Sequence, residues 1–100
     1  MKPVELNFEN EIRHLIKDSI KIGYTPSYLI QMLNNNSAVN VARQLITKDT
    51  GTSGFIKLWE KKRLDLTIEA LVIQEKYKEL FTKEEIEISC NRLKEYGYKF

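Results

Sequence analysis

The chain has 100 residues, 42% of them hydrophobic and 30% charged, with only four glycines and two prolines, a balance that excludes disorder and suits one small globular domain. Sixteen Lys and Arg against fourteen Asp and Glu leave a net charge of +2, with no acidic or basic tail to betray a partner. A single cysteine, Cys90, excludes an internal disulfide, and a single histidine, His14, leaves too few soft ligands for a structural zinc site, so neither metal nor cofactor is expected.

Glycine and proline fall between stretches whose apolar residues recur every three or four positions, which predicts one all-α domain of five or six short helices. Residues 1–22 read as an N-terminal helical extension of a core at 23–98. The first helix is expected to start after Asn7 as N-cap, carry Phe8, Ile12, Leu15, Ile16 and Ile20 on one face, and close with Gly23 in the left-handed C′ position. Thr25 as N-cap and Pro26 at the first helical position open a second helix with Tyr28, Leu29, Met32 and Leu33, which stops in Asn34-Asn35-Asn36. Ser37 caps a third, with Ala38, Val41, Ala42 and Leu45 inward, ending near Thr47 before a polar loop at 48–53.

A fourth helix at 54–63 groups Phe55, Leu58 and Trp59. Asp65 then offers an N-cap for a long fifth helix, whose stripe of Leu66, Ala70, Ile73, Tyr77 and Leu80, widened by Leu71 and Val72, marks it as central. The sixth has the strongest local signature, with Thr82 as N-cap, Glu85 at N3 for a capping box, and Phe81 with Ile86 as hydrophobic staple. Ile86, Cys90 and Leu93 should face inward, and Gly97 at C′ should let Tyr98 pack back on Leu93. The fifth and sixth helices are expected to pair in the core. Residues 1–5 lack the apolar core of a signal peptide, and the longest strictly apolar run, 70–73, is far short of the roughly 20 residues that span a bilayer, so a cytoplasmic protein without membrane contact is expected.

Chemistry-bearing constellations are few. Cys90 reads as a structural thiol and His14 as a boundary residue rather than as nucleophile and base. Asp65 and Glu69 stand four apart, the spacing of a carboxylate pair for proton or metal work; the simpler reading makes Asp65 a cap and gives Glu69 to Arg63, Arg92 or a backbone donor. Gly51-Thr52-Ser53-Gly54 lacks the lysine and strand context of a phosphate loop, no serine nucleophile elbow exists, and no enzyme is expected.

Two surfaces remain as interaction candidates. Residues 22–42 are free of charge, and Tyr24, Tyr28, Gln31, Asn35 and Asn40 form a neutral, hydrogen-bonding patch suited to a larger protein partner. Lys57, Lys61, Lys62 and Arg63 are the only dense basic run, able to meet phosphates of a nucleic acid, though a solvated helix face explains them equally. Helices two and three also allow a helix-turn-helix reading in which Asn40, Arg43, Gln44 and Lys48 would reach the bases. The oligomeric state is left open.

Through GYTPSYLIQML, AVNVARQLI, GFIKLWEKKRLDLTIEALVI and LFTKEEIEISCNRLKEYGY, the chain resembles a small bacterial all-helical domain of uncharacterised function, found by itself or appended to larger proteins of restriction or defence type. The resemblance implies an accessory role in defence or DNA processing and brings no catalytic residues. Its most specific part, Gly54-Phe55 through Leu58-Trp59-Glu60 and Arg63-Leu64-Asp65-Leu66-Thr67 to Glu69, reads as a corner, with Arg63 paired to Asp65 or Glu69 and Trp59 sealing the joint against Leu64 and Leu66. Lys61-Lys62 stand ahead of Arg63, where the resemblance implies a glycine near the helix end.

Overall fold

Proline lacks a backbone N–H, which costs nothing in the first turn of a helix, and Pro3 opens α1 (Pro3–Lys21) in the computed structural model, which describes residues 2–47 and 53–99. Asn7 is therefore not the N-cap: the Lys2 carbonyl accepts from the Glu5 and Leu6 N–H groups at 3.0 and 3.1 Å, so the helix is under way one turn earlier. The far end closes as expected. Gly23 takes φ +92°, its N–H donates to the Ile20 carbonyl at 3.0 Å and the Tyr24 N–H to Ser19 at 2.9 Å, a Schellman ending.

α2 (Ser27–Asn35) begins one residue later than expected, with buried Pro26 in the N-cap position and no side chain capping it. Ser37 caps α3 (Ala38–Ile46), its hydroxyl accepting from the Asn40 N–H at 3.3 Å. The polar loop expected at 48–53 lies outside the described residues but for Ser53, which opens α4 (Ser53–Glu60). α4 also ends in a Schellman pattern, the Arg63 N–H donating to Leu58 at 2.8 Å and the Lys62 N–H to Trp59 at 2.9 Å. Here Lys62, not glycine, occupies the left-handed position, at φ +62°. An L-residue there costs roughly 1–2 kcal/mol, and the greater unfolded freedom of glycine returns part of it. Lys62→Gly is therefore expected to stabilise the domain by about 0.5–1 kcal/mol, read as a higher urea midpoint; an unchanged or lower midpoint would show the turn to be unstrained.

A 3-10 turn at Leu64–Leu66 follows, and Asp65 sits inside it instead of capping the next helix. Thr67 does the capping: its hydroxyl accepts from the Ala70 N–H at 3.1 Å and donates to the Leu64 carbonyl at 2.7 Å, opening α5 (Ile68–Val72). The long fifth helix is thus a single buried turn and a half. Every residue of α5 is buried, so the element has no solvent face to prolong. The extended Gln74 breaks it, turns Gln74, Glu75 and Lys76 to solvent, and lets the 3-10 helix Glu75–Leu80 return Tyr77 and Leu80 to the core.

α6 (Lys83–Glu95) carries the full capping box, with the Thr82 N–H on Glu85 at 2.8 Å and the Glu85 N–H on Thr82 at 3.1 Å. Gly97 closes it at φ +84°, with Tyr98 donating to the Leu93 carbonyl at 2.9 Å. The inward register differs by one position, because Ser89 and Leu93 are the fully buried residues while Cys90 is only half-buried; the Ser89 hydroxyl is satisfied by the Glu85 carbonyl at 3.1 Å.

The main core joins Phe8 and Ile12 of α1 to Val41, Ala42 and Ile46 of α3, to Leu71 and Val72 of α5, and to Tyr77 and Phe81. Phe8 meets Tyr77 and Phe81 edge-on, at centroid distances of 5.1 and 5.3 Å, which puts α1 inside the core. A second cluster gathers Phe55, Leu64, Ala70 and Leu93. α5 packs on both α3 and α6, so the expected central, all-α arrangement holds, with six α-helices and two 3-10 helices among the described residues. Its radius of gyration, 12.5 Å, is that of one compact domain of this length. No helix among the described residues is long and apolar enough to cross a membrane.

Candidate functional site

The two carboxylates that could have worked together are held apart. Both Asp65 oxygens accept from Arg63, at 3.0 and 3.1 Å, and this guanidinium holds the exposed carboxyl below its usual range. Glu69 is only 3% exposed and answers Arg92, whose Nη1 donates to Oε2 at 2.7 Å. Burial pushes the Glu69 carboxyl up against the pull of Arg92 and of its own backbone N–H. The second arm of the fork, Nη2, donates to the Ile46 carbonyl at 3.1 Å, so Arg92 ties α6 to α5 and to the C-terminal end of α3. The corner therefore pairs Arg63 with Asp65, not with Glu69. His14 is exposed, and no group of three or more potential metal ligands forms among the described residues.

Tyr24, delivered by the α1 ending, and Tyr28, on the first turn of α2, line a small apolar pocket of about 60 Å³. Leu15, Leu29, Phe55, Leu58 and Ile68 are part of its apolar wall, and Thr67 and Glu69 reach it, neither of which the sequence had linked to the tyrosines. Tyr28 is 55% exposed, while burial pushes the Tyr24 phenol up. Gln31 and Asn35 follow Tyr28 at helical spacing on exposed positions, with the Asn35 amide donating to the Gln31 carbonyl at 3.2 Å. Asn40 does not join them. It borders a different, polar pocket of about 350 Å³ with Glu9, Arg43 and Glu79, because it belongs to the first turn of α3.

The basic run is likewise divided. Lys57, Lys61 and Lys62 are exposed, but Arg63 is half-buried and committed to Asp65. The Lys61 ammonium lies 3.7 Å from where a Cβ on Gly23 would sit, over the C-terminal end of α1, where a cation is favoured. Lys62 instead borders a groove of about 310 Å³ with Trp59, Tyr96, Tyr98 and Lys99. Trp59 does not seal the corner as expected: it is 45% exposed and meets Tyr96 edge-on at 5.4 Å. Tyr96 in turn stands edge-on to Phe55 at 5.0 Å. In the helix-turn-helix reading Arg43 would face DNA, yet its guanidinium donates to the Leu80 carbonyl at 3.0 Å and pairs with Glu85 at 3.3 Å.

Compared with family models, curated proteins and solved structures, the chain matches none. What stands on the molecule itself is a small all-α domain with its acidic pair divided between two arginines and with two separate surfaces lined by aromatic side chains.

Proposed function

We propose that the protein is a non-enzymatic docking module that takes an apolar side chain of a larger protein into the Tyr24–Tyr28 pocket, as a cytoplasmic accessory of a bacterial defence or DNA-processing system. The supporting observation is the pocket itself: about 60 Å³ is far below the roughly 300–1,000 Å³ of small-molecule sites, but suits the end of one anchoring side chain. Its rim is a tyrosine 55% exposed, the kind of amphipathic, low-entropy side chain that anchors protein interfaces. The surrounding stretch at 22–42 carries no charge, so covering it strips no ion of its water.

Affinity capture from nuclease-treated cells, comparing the unaltered protein with Tyr28→Ala, tests this reading. A stoichiometric partner is expected to survive nuclease and to be lost by roughly tenfold or more with Tyr28→Ala, while the variant still unfolds in one cooperative transition, since the side chain is 55% exposed. Equal recovery of every partner by both proteins refutes it.

A further inference from the structure

The groove beside Lys62 shares no lining residue with the Tyr24–Tyr28 pocket and stands or falls separately from it. We propose that this groove binds single-stranded nucleic acid, a base stacking on Trp59 while flanking phosphates meet Lys62 and Lys99.

Four observations point there. The first is the aromatic platform: Trp59 is 45% exposed, yet the indole packs edge-on against Tyr96, itself set against Phe55. A ring with an open surface is what sequence-tolerant base stacking uses. The second is size. A groove of about 310 Å³ falls within the range of sites for nucleotide-sized ligands.

Charge is the third. The lining holds Lys62, Lys99 and one carboxylate, Asp65, both of whose oxygens are already taken by Arg63. Neither lysine is held by a carboxylate among the described residues. The fourth is the backbone of Lys62. It holds a lysine at φ +62°, a conformation where glycine would be the less strained residue; strain kept at the border of a groove points to a use for the side chain.

An acidic peptide fits less well, since carboxylates are best gripped by the planar fork of an arginine, and the nearby arginine is occupied by Asp65. Duplex DNA covers the faces of its bases, so an open aromatic ring in a concave groove favours single strands.

Trp59 is the only tryptophan in the chain, so its fluorescence reports the site directly. Titration with oligothymidylate on the order of ten nucleotides long should quench it saturably at low salt, with an affinity that falls as salt rises. Duplex DNA of the same length and polyglutamate serve as comparators and should bind more weakly. With a labelled oligonucleotide, Trp59→Ala is expected to bind roughly five- to 150-fold more weakly. Lys62→Gly should bind several-fold more weakly, with the salt slope reduced by about one, although this variant is the more stable protein; Lys99→Glu, near the end of the chain, should act in the same direction. Absence of quenching, tighter binding of polyglutamate or duplex, or oligonucleotide binding that Trp59→Ala and both lysine variants leave unchanged would each overturn the proposal.

Discussion

Arg92→Leu is expected to lower stability by about 3–5 kcal/mol at neutral pH, a large share of the roughly 5–15 kcal/mol available to a domain of this kind. The side chain is 10% exposed, and its two arms satisfy the Glu69 carboxylate at 2.7 Å and the Ile46 carbonyl at 3.1 Å. Removing it leaves a carboxylate that is 3% exposed without its cation, and leaves the last turn of α3 without a donor. Glu69→Leu combined with Arg92→Leu should recover most of the loss, because no charge then stays buried; about 1 kcal/mol should persist for the Ile46 carbonyl.

The pH dependence of the single variant has a definite sign. Burial raises the Glu69 carboxyl above 4.5 when folded, and without Arg92 it rises further. A carboxyl raised on folding contributes stability that is fully present below its unfolded value and lost as pH rises through its folded value. The deficit of Arg92→Leu should therefore shrink as the pH falls toward about 4.5 and be largest at neutral pH. Urea melts at both pH values read this out. A deficit below 1 kcal/mol at neutral pH, or one that grows on acidification, would mean that Arg92 is not what neutralises Glu69.

What the sequence made legible was what short range decides. The capping box of α6 and the glycine endings at Gly23 and Gly97 involve partners within a few residues, and each forms as the local pattern requires. At two helix starts the expected cap loses to a neighbour that the local pattern does not rank above it. Asn7 is a good cap in isolation, but Pro3 starts the helix first; Asp65 and Thr67 are both capping residues, and Arg63 draws off the carboxylate of the first.

The fifth helix failed for a different reason. No glycine or proline interrupts 66–80, and the break at Gln74 comes from burial of α5 on all sides, a property of the packed fold. The same limit applies to the surfaces. The tyrosine rim could be read from a neutral stretch, whereas the setting of Trp59 depends on Tyr96, 37 positions away. On α4, Phe55 and Leu58 take the interior, and Trp59, one position further round, is left at the edge for α6 to meet.

Phe8→Ala is the second change expected to be severe, at about 3–5 kcal/mol. The ring is fully buried and makes edge contacts with Tyr77 and Phe81, each worth about 0.5–1.5 kcal/mol beyond the buried area. Leu6→Ala, two residues earlier on a side chain 48% exposed, should stay within about 0.5 kcal/mol of the unaltered protein and serves as the control in the same urea melts. The contrast decides the standing of α1. An appended helix would give two small effects, whereas a core helix gives one large and one small. Polar contacts point the same way: the Tyr77 hydroxyl donates to Glu11, and Lys76 reaches the same carboxylate at 2.8 Å, fastening α1 to the second 3-10 helix. Because α1 also supplies Leu15 and Ser19 to the Tyr24–Tyr28 pocket, a chain lacking residues 1–22 should lose both cooperative unfolding and partner capture. Cooperative unfolding of that shortened chain at an unchanged midpoint would place α1 outside the core and leave the pocket without one of its walls.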